Sequence, residues 1–217
     1  MWYNKDREPV QVFTIYKGRD LIMTEQVLGK VPVGISNRHV HLSQGDLEKL
    51  FGQGHQLTNI KDLSQPGQFA ADETVTLVGP KGVIQRVRVL GPVRSKTQVE
   101  ISRTDAFALG VRPPVRDSGD LNDSAGLVTI VGPKGAVTLS EGVILAKRHI
   151  HMTPADAEAF GVKDKDIVKV RCGGDRGLVF DQVLVRVRED FALDCHLDTD
   201  EANAAMLNNG DEVEVIR

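Results

Sequence analysis

One short string occurs twice in this chain. NRHVHLS runs over 37–43 and KRHIHMT over 147–153, and four of the six histidines lie in them. Each copy has a basic residue, two histidines one residue apart, an apolar residue between them and a hydroxyl two residues later. In a strand, residues i and i+2 face the same side. His39 and His41 therefore converge, as do His149 and His151, and two convergent imidazoles begin a metal site. A chain that carries this constraint twice is expected to fold as two related halves, each presenting one such pair.

The repeat extends beyond the histidines. NRHVHLSQGDLEKLFG (37–52) aligns with KRHIHMTPADAEAFGV (147–162). Ser43 and Thr153 are good helix N-caps, and Pro154 suits the first helical position. Leu47, Leu50 and Phe51 predict the buried stripe of a short helix. Each half then turns to β-branched alternation, with hairpin turns at Gly79–Gly82 and Gly173–Gly177. HQLTNIKDLSQPGQFA (55–70) reads as a polar loop, because its Pro and Gly oppose regular structure. GVRPPVRDSGDLNDSAG (110–126) is a long connection that could shape a site. The expected fold is mainly β: two small, mostly antiparallel β-barrels with short helices, related by duplication.

Bulk properties narrow the function. With 217 residues the chain can bury one large core or two small ones. Its 41% hydrophobic and 26% charged residues describe a soluble globular protein. A net charge of -3 offers no global field for nucleic acid, so an anionic substrate must be met by local Lys and Arg. Two cysteines, Cys172 and Cys195, make no disulfide framework and point to a reducing interior. No stretch approaches the roughly 18 apolar residues of a membrane span, and the N-terminus has no signal-peptide pattern.

A catalytic zinc usually takes three protein ligands and keeps one position open. The repeat locates the third. Laying QRVRVLGPVRSKTQVEIS on DQVLVRVREDFALDCHLD matches Val87 with Val183, Val89 with Val185 and Glu100 with His196. The longer spacing in the first half is about the size of its extra loop. The expected ligand sets are His39, His41 and Glu100, and His149, His151 and His196. Both are known zinc types. A lone HxH is commonly two ordinary strand histidines; repetition with an aligned third ligand favours metal. A cupin-type site would need a carboxylate three or four positions after the second histidine, where Gln44 and Gly45 stand.

NRHVHLS, the central RPPVRDSGD and KRHIHMTPADAEAFGV, in that order and spacing, resemble the PduL-type phosphotransacylases, also called phosphate propanoyltransferases. The resemblance runs from about Val31 to the C-terminus. It implies two β-barrel domains, at 38–147 and 148–217, the second completed by the N-terminal strand at about 25–37. VPVGIS would thus join the C-terminal barrel, with GVIL (142–145) as its counterpart in the first. It implies two zinc ions per chain at the domain interface, on the ligands already inferred. The implied reaction interconverts propanoyl-CoA or acetyl-CoA plus phosphate with acyl-phosphate plus CoA.

The resemblance also makes Arg94 the phosphate-binding arginine; six residues before Glu100, it has the strand parity to share that ligand's face. Contacts to coenzyme A map to Ser36, Lys61, Arg88, Leu90, His196 and Asn203. Lys61 reads equally as a solvated loop lysine, and Leu90 as core. Arg116, Asp117 and Ser118 read as a polar turn between the halves, or else as a wall of the cleft. Cys195 adjoins His196, but it aligns with apolar Val99 and faces the opposite side of its strand, which suits a buried structural thiol. Direct attack of phosphate on acyl-CoA is therefore expected rather than an acyl-cysteine.

The rival readings are a di-zinc hydrolase of a phosphoester or amide and a non-enzymatic metal-binding module. Members of the resembled family enter bacterial microcompartments through an N-terminal amphipathic helix. Residues 1–30 show no period-3.6 stripe, and PVQVFTIY alternates like a strand. Cytoplasm and microcompartment lumen both stay open, with shell or lumen enzymes as partners in the second case. Self-association is compatible with the sequence. No nucleic-acid or membrane partner is expected.

Overall fold

The computed structural model describes residues 25–217, so the expectations for the N-terminal segment before Glu25 lie outside the described residues. In chain order the elements are β1 (Val27–Ser36), β2 (His39–His41), α1 (Gln44–Phe51), β3 (Asn59–Asp62), β4 (Phe69–Val78), β5 (Val83–Gly91), β6 (Gln98–Glu100), α2 (Arg103–Leu109), β7 (Val115–Arg116) and β8 (Val128–Val131). There follow β9 (Ala136–Leu139), β10 (Val143–Ala146), β11 (His149–Met152), α3 (Pro154–Phe160), β12 (Ile167–Cys172), β13 (Leu178–Val187), β14 (Asp194–Asp198), α4 (Thr199–Ala205) and β15 (Glu212–Ile216).

The strands form two sheets, and the fold is mainly β as expected. β1-β14-β11-β13-β12-β15 closes into a six-stranded barrel. The other sheet has nine strands in the order β7-β10-β6-β2-β5-β4-β8-β9, with β3 added beside β4, and it does not close. Most pairings are antiparallel, but each HxH strand has one parallel neighbour: β5 for β2 and β13 for β11.

Two crossings tie the sheets together. β1 belongs to the barrel, pairing in parallel with β14 and antiparallel with β15. After Asn37 and Arg38 the chain enters the open sheet as β2. β10 makes the reverse passage: it pairs in parallel with β6 and β7, then leads through Lys147 and Arg148 into β11 of the barrel. Each histidine pair therefore begins where the chain changes sheets.

Each sheet has its own core. One gathers Val40, Leu42, Leu47, Leu50, Leu77, Val89, Val99 and Ile130; the other gathers Val31, Ile150, Met152, Val170, Val183, Val185, Cys195 and Val215. Each such buried side chain contributes about 1.5–3 kcal/mol over its exposed state. The repeat survives in backbone detail. Ser43 and Thr153 cap α1 and α3 as predicted, and Pro154 opens α3. Arg86 in β5 and Gln182 in β13, equivalent in the duplication, both take the left-handed conformation (φ 54° and 57°). Paired irregularities of this kind re-aim the following side chains.

A second repeat, VGPKG at 78–82 and 131–135, packs both hairpins against helix ends. The Lys81 N–H donates to Leu109 O of α2 (3.0 Å), and the Lys134 N–H to Leu50 O of α1 (2.9 Å). A Cβ on Gly79 would lie 2.3 Å from Leu109 O, and one on Gly132 2.5 Å from Leu50 O. These glycines let the hairpins satisfy helix carbonyls that otherwise lack partners.

The segment read as a loop at 55–70 is partly ordered. β3 pairs with the start of β4, with Asp62 opposite Phe69. Pro66 and Gly67 sit in the turn between them, closed by Leu63 N–H to Gln68 O (3.0 Å). The turn residues mark a hairpin apex rather than an unstructured stretch.

Candidate active site

The two strings place their histidines on one face each, because the strand period is two. His39 and His41 are both buried, with ring centroids 5.0 Å apart; His149 and His151 are buried with centroids 4.6 Å apart. The third member comes from the antiparallel neighbour. His39 lies opposite Glu100 and Val40 opposite Val99 in β2/β6; His149 lies opposite His196 and Ile150 opposite Cys195 in β11/β14. The alignment of Glu100 with His196, and of Val99 with Cys195, thus appears as strand register. In each set one ligand-type atom per residue falls within 4.8 Å of the others.

The basic residue before each pair ties the site to a helix. Arg38 Nε donates to Asp105 Oδ1 (2.8 Å), and Arg148 Nε to Glu201 Oε1 (2.7 Å). Asp105 and Glu201 are the third residues of the capping boxes opening α2 and α4, which directly follow the third-ligand strands. Each arginine therefore fixes its HxH strand against the strand bearing Glu100 or His196. The Nδ1 of His39 lies 2.8 Å from Asn37 O and that of His149 2.7 Å from Lys147 O, which orients both rings identically.

Burial keeps three of these histidines in the neutral, ligating form. Burial and the neighbouring His196 push His149 down to about 4, and burial with its histidine neighbours pushes His151 well below the ordinary range. Burial also drives His41 down. These imidazoles are neutral at pH 7 and present lone pairs. Burial opposes the charge on Glu100, but the charge and hydrogen bond of His39, with the hydrogen bond from Ser118, outweigh it and hold the carboxyl well below its usual range. On His39, burial is outweighed by Glu100, whose Oε2 lies 3.6 Å from Nε2. The Nδ1 atoms of His41 and His151 are buried without a hydrogen-bond partner among the described residues. An orphaned buried nitrogen is costly unless something binds it. Three donors and an orphaned atom in each set fit a zinc-like ion.

The residue two positions before each third ligand forms its outer partner. Gln98 Nε2 donates to Glu100 Oε1, as does Ser118 Oγ at 2.6 Å. His196 Nε2 lies 3.0 Å from Asp194 Oδ2. Gln98 and Asp194 occupy equivalent registers, opposite His41 and His151. Asp194 is accommodated by Gly34, where a Cβ would come within 2.7 Å of its Oδ2.

All six ligand-type residues line one cleft of about 1130 Å³ between the sheets. Ser36, Lys61, Arg88, Leu90 and Arg94 line it too. Asn203 does not; it is exposed on α4. Arg94 reaches the cleft, but not by strand parity, since β6 begins only at Gln98. Its backbone N–H instead donates to Leu42 O (2.9 Å), just past His41, and this bridge aims the side chain. Arg88 Nη1 is anchored to the carbonyls of Ala71 and Asp72 (2.8 and 2.9 Å).

The central segment divides. Ser118 and Gly119 form cleft wall, with the Gly119 N–H donating to Gln98 Oε1 (3.1 Å). Arg116 and Asp117 turn outward, to Asn122 O and Lys147. The polar-turn reading thus holds for two residues and fails for Ser118, whose partner 18 positions away no local pattern reveals. Cys195 is fully buried, and burial raises its thiol far above the ordinary value.

Sequence reasoning passed over Gln65, Gln98, Arg186 and Asp194. Asp194 and Gln98 were recoverable from the i−2 position before each third ligand. Gln65 was not: its buried amide exchanges two hydrogen bonds with the backbone of Ala192 (3.0 and 3.2 Å), joining a loop of the open sheet to one of the barrel.

Relatives share this arrangement's sequence over most of its length. The family model for phosphate propanoyltransferase matches residues 32–208. The chain is 69% identical to a phosphate propanoyltransferase of Thermotoga maritima over 195 residues, covering 88% of this chain and 92% of that one. It is 54% identical to the one of Rhodopseudomonas palustris over 188 residues (87% and 83%), and 51% identical to that of Priestia megaterium over 206 residues (95% and 94%). With the match spanning both histidine strings, the central segment and both sheets, the chain belongs to the phosphate propanoyltransferase family.

Proposed function

We propose that this acyltransferase interconverts propanoyl-CoA or acetyl-CoA plus phosphate with acyl-phosphate plus CoA, at two zinc ions held between its sheets. The observation that carries the reading is the convergence of two ligand sets and Arg94 on one cleft. His39, His41 and Glu100 hold one ion; His149, His151 and His196 hold the other. When bound, the ions supply a Lewis acid for the thioester carbonyl and a soft acceptor for the departing sulfur.

The chain's own groups bind and orient. Phosphate already carries nucleophilic oxygen, so it needs placement and neutralisation more than a general base. Arg94 provides a guanidinium fork beside the ligands. A phosphate oxygen attacks the acyl carbon, the carbon–sulfur bond breaks, and CoA leaves as the thiolate. Coenzyme A is assigned Ser36, Lys61, Arg88 and Leu90 along the cleft and His196 at its base, with Asn203 outside the lining. The neutral, buried thiol of Cys195 supports direct transfer over an acyl-cysteine. The segments 38–147 and 148–217, the latter with strand 25–37, are the two proposed domains.

The test is phosphate-dependent release of CoA thiol from propanoyl- and acetyl-CoA, measured with metal content. Release at equal rate without phosphate would identify a hydrolase instead. Loss of activity on chelation and its return with zinc are expected.

A further inference from the structure

We infer that Arg186 is a second phosphate-binding arginine, forming with Arg94 a clamp that takes one cation from each sheet. The inference rests on the phosphotransacylase reading and adds a substrate-binding residue to it. Arg186 lies on β13 directly opposite His151, and its side chain lines the same cleft as Arg94. Its guanidinium has no hydrogen bond or ion pair among the described residues. It leans on the ring of Phe191 (5.8 Å to the centroid), and that ring packs 4.2 Å from the ring of His151. Phe191 thus holds Arg186 beside a metal-ligand histidine.

The neighbouring cations differ. Arg188 is neutralised by Asp190 (2.6 Å), and Arg88 has its Nη1 held by backbone carbonyls, which leaves its other nitrogens for the coenzyme A assigned to it. Arg94 has one long contact, 3.5 Å to Gln98 Oε1; burial works against its charge, the nearby Glu100 carboxylate favours it, and the charge of Arg186 opposes it. Two partly buried guanidiniums that repel each other, neither within ion-pair distance of a carboxylate among the described residues, are stabilised by an anion between them. Duplication does not explain the pair. The alignment that matches Val89 with Val185 matches Arg186 with the apolar Leu90. The two arginines reach the cleft by unrelated routes, one from a strand and one from the turn before β6.

The test compares KM for phosphate with KM for propanoyl-CoA in Arg186→Gln and Arg186→Lys, at zinc content and melting temperature matched to the unaltered protein. Loss of a charge-assisted contact is expected to raise the phosphate KM about 10- to 100-fold. The acyl-CoA KM should move less than about threefold, and the lysine variant, which keeps the charge but loses the fork, should fall between. A phosphate KM that rises no more than the acyl-CoA KM overturns the proposal, and a selective rise in the acyl-CoA KM gives Arg186 to the phosphates of coenzyme A. If the unaltered protein releases no CoA on adding phosphate, the reaction reading fails by itself. Calorimetric titration with inorganic phosphate, unaltered protein against Arg186→Gln, then still decides the clamp: equal affinities overturn it.

Discussion

The two ligand sets are built alike and charged differently. In the open sheet the third ligand-type residue is a carboxylate, Glu100, and the residue behind it is a neutral amide, Gln98. In the barrel the third ligand is neutral, His196, and the residue behind it is a carboxylate, Asp194. Each site therefore contains one acid, as ligand in the first and as support in the second. A cation in the first would meet a full negative charge directly. In the second it would meet imidazoles whose basicity Asp194 reinforces at one remove. The duplication kept the strand positions and exchanged the chemical types of two residues.

The comparison breaks most severely at the third ligands. Glu100→Gln and His196→Ala should each lower zinc content from about two to about one per chain. Each should cut phosphate-dependent turnover by at least about 100-fold, since loss of a direct ligand exceeds the 10–100-fold typical of an outer partner. Elemental analysis beside single-turnover assays checks this; an unchanged zinc content would remove either residue from its site.

Outer partners come next. Gln98→Leu and Asp194→Asn should weaken zinc affinity by about 10- to 100-fold, each at its own site. Competition with a chromogenic chelator would show it. Equal weakening of both sites by one variant would contradict the division.

Acid should destabilise the metal-stripped protein through the buried histidines of both sets. The folded-state value of His149, about 4, lies below its free value of 6.5, so its contribution is complete above pH 6.5 and disappears as pH falls towards 4. That contribution is on the order of 3 kcal/mol. Glu100 is also lowered, so its contribution is complete above about 4.5 and is lost only in stronger acid. Denaturant melts across pH 7 to 4 should show a steep loss that His149→Asn reduces but does not abolish, because His41 and His151 are also held low, and that Glu100→Gln does not reduce.

Two smaller effects probe the frame. Gln65→Ala removes two hydrogen bonds between the sheets and should cost about 1–3 kcal/mol, read from urea melts. It should raise the acyl-CoA KM more than it lowers kcat, because the loop it secures lines the cleft. Cys195→Ala should leave turnover within about threefold while costing about 1–2 kcal/mol in stability, as expected of a small buried side chain. An inactive, folded, zinc-loaded Cys195→Ala would instead establish an acyl-cysteine.

By itself the sequence determined the elements that obey a local period. The HxH pairs follow from the two-residue strand repeat, the helices after them from Ser43, Thr153 and Pro154, and the third member of each cluster from aligning Glu100 with His196. Duplication made the last step possible, because a residue alone in one half has no partner to be checked against. Tertiary structure decided what depends on chain crossings and long-range contacts. The closed barrel and open sheet arise from which strands find a final neighbour, and no residue pattern in β8 or β9 announces that. Ser118 on Glu100, Gln65 on Ala192 and Arg186 in the same cleft as Arg94 each join residues distant in sequence. Their meaning comes from the cleft, which exists only because the chain changes sheets just before each histidine pair.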